Sequence, residues 1–121
     1  MYVKYTGYSI ILEFLKSLFR KFDDLGNLII HEFLKNSPGL LASLTDHINN
    51  NNLTEAGHIA HSLKGSGANL SASLFVETAF EMEQAGKSEN APLLRKLLPI
   101  IKERYDKLID TIKASGYNIE E

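Results

Sequence analysis

Apolar residues recur three and four positions apart through nearly the whole chain, and this spacing constrains the fold more than any other feature. A period of this kind places apolar side chains along one face of an α-helix. No segment alternates between apolar and polar residues for long enough to indicate a β-strand. The sequence therefore predicts an all-α protein.

Turn-forming residues divide the helical pattern into segments. A first predicted helix ends near Asp23, and its apolar residues are Ile10, Ile11, Phe14, Leu15, Leu18, Phe19 and Phe22. A second helical pattern starts at Leu25 and contains Ser37 and Pro38. These two residues indicate either the N-cap and first residue of a new helix or a kink in one continuous helix. The run Asn49-Asn50-Asn51-Asn52 predicts a loop.

Two further helices are predicted at about residues 53–69 and 72–86. Ser71 is expected to cap the second of them, which is expected to stop near Gly86. Short loops between successive helices favour antiparallel neighbours.

A last helix is predicted to open at Asn90-Ala91-Pro92 and to stop at Gly116. Pro99 within it predicts a kink or a restart. We therefore expect an up-down antiparallel four-helix bundle with an additional N-terminal helix, forming a single domain over residues 1–121.

Composition narrows the class of protein. With 121 residues, 44% of them hydrophobic, the chain can bury one core. The absence of cysteine excludes disulfides, thiolate catalysis and Cys-ligated metal centres. A net charge of −2 argues against nucleic acid as a partner. No apolar run approaches the roughly 18–20 residues that span a bilayer, and the N-terminus lacks the pattern of a signal peptide. We expect a cytoplasmic monomer that binds neither nucleic acid nor membrane.

The helix predicted at 53–69 has two distinct faces. Because each residue advances about 100° around a helix, one stripe should face the core, and it consists of Leu53, Ala56, Ala60, Leu63, Gly67 and Leu70. A second face lies beside it and consists of Gly57, His61, Lys64, Gly65 and Ala68.

Three glycines in this helix cost about 1 kcal/mol each relative to alanine, so each needs a physical reason. Gly67, on the core stripe, predicts the close approach of a neighbouring helix. Gly57 and Gly65 lie off that stripe, on either side of His61. Their expected role is clearance, so that a bulky group or another protein's backbone can reach the imidazole. Lys64 shares this surface, and an imidazole beside an ammonium suits nucleophilic attack on phosphorus.

Residues 60–72 read Ala-His-Ser-Leu-Lys-Gly-Ser-Gly-Ala-Asn-Leu-Ser-Ala. This stretch resembles the signature of histidine-containing phosphotransfer (HPt) domains, which is approximately A-H-x-L-K-G-S-x-x-x-L-G-A. The resemblance implies that His61 is phosphorylated, that Lys64 balances charge and that Gly65 opens access. The chain departs from the signature at Ser71, where the family usually has glycine.

The resemblance also implies a partner for the imidazole on the following helix. HPt domains commonly place a Glu or Gln there, facing the histidine, and Glu83 falls at that spacing. Its carboxylate would accept a hydrogen bond from one ring nitrogen and leave the other free. Gln84 would take this place if the register differed by one residue.

The function implied by the resemblance is that of a phosphorelay intermediate. His61 would accept a phosphoryl group and transfer it to or from the aspartate of a response-regulator receiver domain, with a hybrid histidine kinase as a further partner. The family binds no ATP and has no kinase activity of its own, and this chain has no Walker-type phosphate loop. No cofactor is expected, since the Mg²⁺ that such transfers need lies in the receiver.

Three alternative functions remain open at the level of sequence. The chain could be the phosphorylated N-terminal module of a chemotaxis-type histidine kinase, or an adaptor that binds receivers without being phosphorylated. It could also be a metal-binding four-helix bundle, because His58 and His61 have the i, i+3 spacing of helical metal ligands. The other helices contain no Glu-x-x-His companion to support the metal site.

Overall fold

A computed structural model of the chain describes residues 23–115, and all regular structure in this range is helical. Its four helices are α1 (Asp23–Asn49), α2 (Leu53–Ala68), α3 (Ser73–Lys87) and α4 (Ala91–Ala114). The all-α prediction is confirmed for these residues. The additional N-terminal helix and the stop at Gly116 lie outside the described part of the chain.

α1 is continuous through Pro38. Of the two alternatives that the sequence left open, one continuous helix is therefore right, and a new helix starting at Pro38 is wrong. Ser37 is fully buried, and its hydroxyl is hydrogen-bonded to the hydroxyl of Tyr105 in α4 at 2.9 Å. Apolar side chains on both sides of the proline are buried on the same face, which keeps the two halves together. They are Ile30, Phe33, Leu41, Leu44 and Ile48.

α4 begins where the sequence predicts, with Asn90 as its N-cap. The Asn90 side chain accepts a hydrogen bond from the backbone N–H of Leu93 at 3.1 Å. The helix does not restart at Pro99, which is exposed. Buried residues before and after that proline form one continuous face, namely Leu94, Leu97, Ile101, Leu108 and Ile112.

α2 and α3 run antiparallel and pack closely along their whole length. Gly57, in the first half of α2, lies against Gly86 near the end of α3. At the opposite end, Gly67 of α2 lies against Phe75 of α3, where an added Cβ would come within 2.6 Å of the Phe75 ring. The close helix approach predicted at Gly67 is therefore present. α1 packs on α2, α4 packs on α3, and α1 also contacts α4, so the helices form a bundle.

The turn between α2 and α3 differs from the predicted one. Ser71 has a φ of 57°, and Ala72 is the N-cap of α3, without a side-chain cap bond. The Ser71 N–H bonds to the Ala68 carbonyl at 3.0 Å and the Ala72 N–H to the Gly67 carbonyl at 3.1 Å. This is the Schellman arrangement, in which the left-handed residue is usually glycine. The prediction that Ser71 caps α3 is therefore wrong.

α3 ends near Gly86, as predicted, but Gly86 does not terminate it. The helix continues through Gly86 to Lys87, and the left-handed residue after it is Glu89, with a φ of 54°. Gly86 is buried inside the last turn, where α2 leaves no space for a side chain. Gly86 therefore allows the two helices to pack closely, and it does not terminate α3.

The left-handed backbone at Ser71 predicts a stabilising substitution. Ser71→Gly should raise the free energy of unfolding by about 0.5–1 kcal/mol, since a residue with a Cβ pays about 1–2 kcal/mol in this conformation. Urea unfolding followed by circular dichroism measures the change. Ser62, an exposed serine inside α2, is the matched control: Ser62→Gly should destabilise by about 0.5 kcal/mol. Destabilisation by both substitutions would contradict the interpretation of the turn.

Candidate functional site

α2 carries its core stripe as predicted and leaves His61 on its open flank. Ala56, Ala60 and Leu63 are fully buried against the other helices. The His61 side chain keeps 65% of its surface exposed. The imidazole is therefore accessible to another molecule.

Glu83 of α3 contacts the imidazole directly. Its Oε2 lies 3.0 Å from Nδ1 of His61, and the residue is buried, with 7% of its surface exposed. A carboxylate accepts hydrogen bonds, so Nδ1 carries the proton and donates it. In the neutral ring Nε2 is then left with a free lone pair. Gln84 is exposed, and the position against the ring is occupied by Glu83.

Lys64 pairs with the same carboxylate. Its ammonium nitrogen lies 2.7 Å from Oε1 of Glu83 and 5.2 Å from the centroid of the Phe80 ring. The Lys64 side chain is 28% exposed. The sequence places Lys64 beside His61, and the structure joins the two through Glu83.

A second lysine, which the sequence analysis did not identify, completes the surroundings of Glu83. The ammonium of Lys87 lies 3.6 Å from Oε2, and its side chain is 67% exposed. Lys87 and Glu83 are four residues apart on α3, a spacing that brings opposite charges together on a helix. Once Glu83 had been identified as a site residue, this spacing would have been enough to identify Lys87 from the sequence.

These neighbours keep Glu83 ionised. The hydrogen bond from the Lys64 ammonium is the largest cause of a pKa below the usual 4.5, and the bond from His61 lowers it further. Burial acts in the opposite direction but does not prevail. At neutral pH the carboxylate is therefore a constant acceptor for the Nδ1 proton.

The glycines around His61 have different surroundings. A Cβ at Gly65 would meet no atom within 4 Å, and both Gly65 and Ala68 are exposed. Gly57 is buried, and a Cβ there would lie 3.2 Å from the Cα of Gly86. The clearance expected at Gly57 therefore does not face solvent: its missing side chain lets α3 approach α2.

A cleft of about 210 Å³ opens beside the imidazole, between α2 and α3. Its lining residues are Thr54, Gly57, His58, His61, Glu83 and Lys87. His58 is exposed and lies 3.9 Å from Glu55. Within residues 23–115, no three His, Asp or Glu side chains come together as a set of metal ligands.

A histidine exposed on the flank of a helical bundle, with one ring nitrogen held by a buried carboxylate, has its other nitrogen available as a nucleophile. The model of the Hpt domain family matches residues 29–114, and the chain belongs to this family. No curated protein and no solved structure matches the chain at a significant level.

Membership of the family establishes the general setting. Hpt domains are phosphocarrier modules of two-component phosphorelays, generally without kinase activity of their own, and they interact with response-regulator receiver domains. No helix in the described range is long and apolar enough to cross a membrane.

The lowered pKa of Glu83 predicts a pH-dependent contribution to stability. The ionised carboxylate stabilises the fold above its usual pKa of 4.5, and this stabilisation is lost as the pH falls through the lower value of the folded state. Glu83→Gln should therefore reduce the free energy of unfolding at pH 7 by about 1–3 kcal/mol, and the difference from wild type should shrink towards pH 3.

Urea unfolding at a series of pH values measures this difference. Glu81→Gln is the matched control, because Glu81 is an exposed residue of the same helix. The control should follow the wild-type curve to within about 0.5 kcal/mol. If Glu83→Gln lowered the free energy of unfolding by the same amount at every pH, the lowered pKa of Glu83 would be contradicted.

Proposed function

We propose that this chain is a phosphorelay intermediate in which His61 accepts a phosphoryl group on Nε2 and passes it to or from the aspartate of a receiver domain. The observation that supports this proposal most directly is the 3.0 Å contact between Nδ1 of His61 and Glu83, on a ring that stays 65% exposed. The contact fixes the tautomer and directs the nucleophilic nitrogen outwards.

The transfer step follows from that tautomer. The Nε2 lone pair attacks phosphorus of the receiver's aspartyl phosphate, the N–P bond forms, and the P–O bond to the aspartate breaks. The aspartate leaves as a carboxylate, and no proton is released. The ring becomes positively charged and keeps its proton on Nδ1, where Glu83 balances the new charge at 3.0 Å. The same steps in reverse return the group to an aspartate.

Lys64 and the partner receiver supply the remaining positive charges that the transfer needs. Lys64, now 2.7 Å from Glu83, is positioned to move to the phosphoryl oxygens when they arrive. The Mg²⁺ required for the transfer belongs to the receiver's acidic pocket, and the chain itself uses no cofactor. Its partners are receiver domains and a hybrid histidine kinase, which it meets as a cytoplasmic monomer.

The receiver docks on the face around His61. Gly65 and Ala68 offer no large side chain there, and Phe80 exposes 48% of its surface close to Lys64. An exposed aromatic residue beside small ones provides apolar contact area without blocking the imidazole.

The first functional prediction concerns the acceptor. After incubation with a ³²P-labelled receiver domain, the wild type should carry label that is labile in acid and stable in base, as expected for a phosphoramidate bond. His61→Gln should carry none. His58→Gln is the matched control, since His58 is an exposed histidine on the same helix, and it should retain labelling. Labelling of His61→Gln would refute the assignment, and an unlabelled wild type that still binds receivers would identify an adaptor.

The second functional prediction concerns access. Gly65→Leu should remain folded, and even gain about 0.8 kcal/mol of helix propensity, because Gly65 is exposed and a Cβ there meets no neighbouring atom within 4 Å. Transfer from the receiver should nevertheless fall at least about tenfold, the effect of a docking loss of about 1.4 kcal/mol. Gly39→Leu, on α1 and equally unobstructed, should transfer like the wild type. Undiminished transfer by Gly65→Leu would show that clearance is not the role of Gly65.

A further inference from the structure

Three nitrogen atoms share the single carboxylate of Glu83. Lys64 is nearest, at 2.7 Å from Oε1, and His61 and Lys87 lie 3.0 and 3.6 Å from Oε2. In the unphosphorylated protein one negative charge thus faces two ammonium groups. The site contains one more cation than Glu83 requires.

Phosphorylation of His61 changes this balance. A phosphoryl group adds a charge of about −1.5 to −2 at neutral pH, and Lys64 is the cation placed to meet it. When Lys64 moves to the phosphoryl oxygens, Oε1 of Glu83 loses its ammonium partner. Oε2 keeps its contact with the imidazole, but Oε1 is buried from solvent, and a buried carboxylate oxygen that loses its donor is costly.

Lys87 is suited to replace Lys64 on the carboxylate. It stands one helical turn after Glu83 on α3, and its exposed side chain is free to change rotamer. At 3.6 Å it is just beyond hydrogen-bond distance in the unphosphorylated protein. It also lines the cleft beside His61, so its charge stays close to the imidazole.

We propose that Lys87 is a positioning residue that becomes the cationic partner of Glu83 when Lys64 moves to the phosphoryl group. This inference rests on the proposed function of His61. Lys87 acts through Glu83: it keeps the carboxylate ionised and in place on Nδ1 while Lys64 is engaged elsewhere. Each lysine then pairs with one anion.

The first test measures the Glu83 carboxyl group by ¹³C NMR titration and needs no phosphoryl donor. Lys64→Met imitates the departure of Lys64 and should raise the pKa of Glu83. Adding Lys87→Met in that background should raise the pKa of Glu83 further, whereas Lys87→Arg should not. Lys87→Met alone should have a smaller effect, because Lys64 still holds the carboxylate. Equal titration curves for Lys64→Met with and without Lys87→Met would overturn the proposal.

The second test uses potassium phosphoramidate as a small phosphoryl donor and follows phosphohistidine by ³¹P NMR. Lys87→Met should lower the rate of phosphorylation about three- to fivefold, in keeping with one solvent-accessible ion pair. Lys87→Arg should restore most of the rate, and the exposed control Lys102→Met should match the wild type. A wild-type rate for Lys87→Met would overturn the role of Lys87. Absence of phosphohistidine in the wild type would instead refute the proposed function, while the titration would still decide whether Lys87 supports Glu83.

Discussion

The close approach of α2 and α3 at Gly57 and Gly86 is the constraint on which the site depends. A Cβ at Gly86 would lie 2.5 Å from the Cα of Gly57 and 2.8 Å from the carbonyl oxygen of Leu53, so neither backbone leaves room for a side chain. His61 follows Gly57 by one helical turn, and Glu83 precedes Gly86 by about one turn. The contact between the two glycines therefore sets the distance at which the carboxylate meets the imidazole.

Much of the fold follows from the sequence because helical periodicity and turn residues are local signals. The start of α4 at Asn90 and the buried stripe of α2 are examples. Tertiary packing decided the cases that local signals could not. α1 continues through Pro38 because both of its halves cover the same core, and Ser71 takes a left-handed turn that its own side chain does not favour.

The candidate site could be predicted only in part. His61, Lys64 and Glu83 come together in the structure. Helical spacing was enough to place Lys64 beside His61, whereas Glu83 was anticipated only through the resemblance to HPt domains. The packing role of Gly57 was missed because positions around a single helix do not show how closely a second helix packs. Without a side chain at Gly57, α3 can approach α2 closely there. Lys87 was missed because its position has meaning only relative to Glu83, and the sequence left the choice between Glu83 and Gln84 open.

The backbone contact at the two glycines does not depend on the exposed residues around His61. Main-chain packing of the two glycines sets the separation of the helices that carry the ring and its carboxylate. Gly65 and Ala68 are exposed on the same helix as His61, and they do not take part in that packing. Under the proposed function, substitutions among these outer residues would change the choice among competing receivers and leave the chemistry of the nitrogen the same.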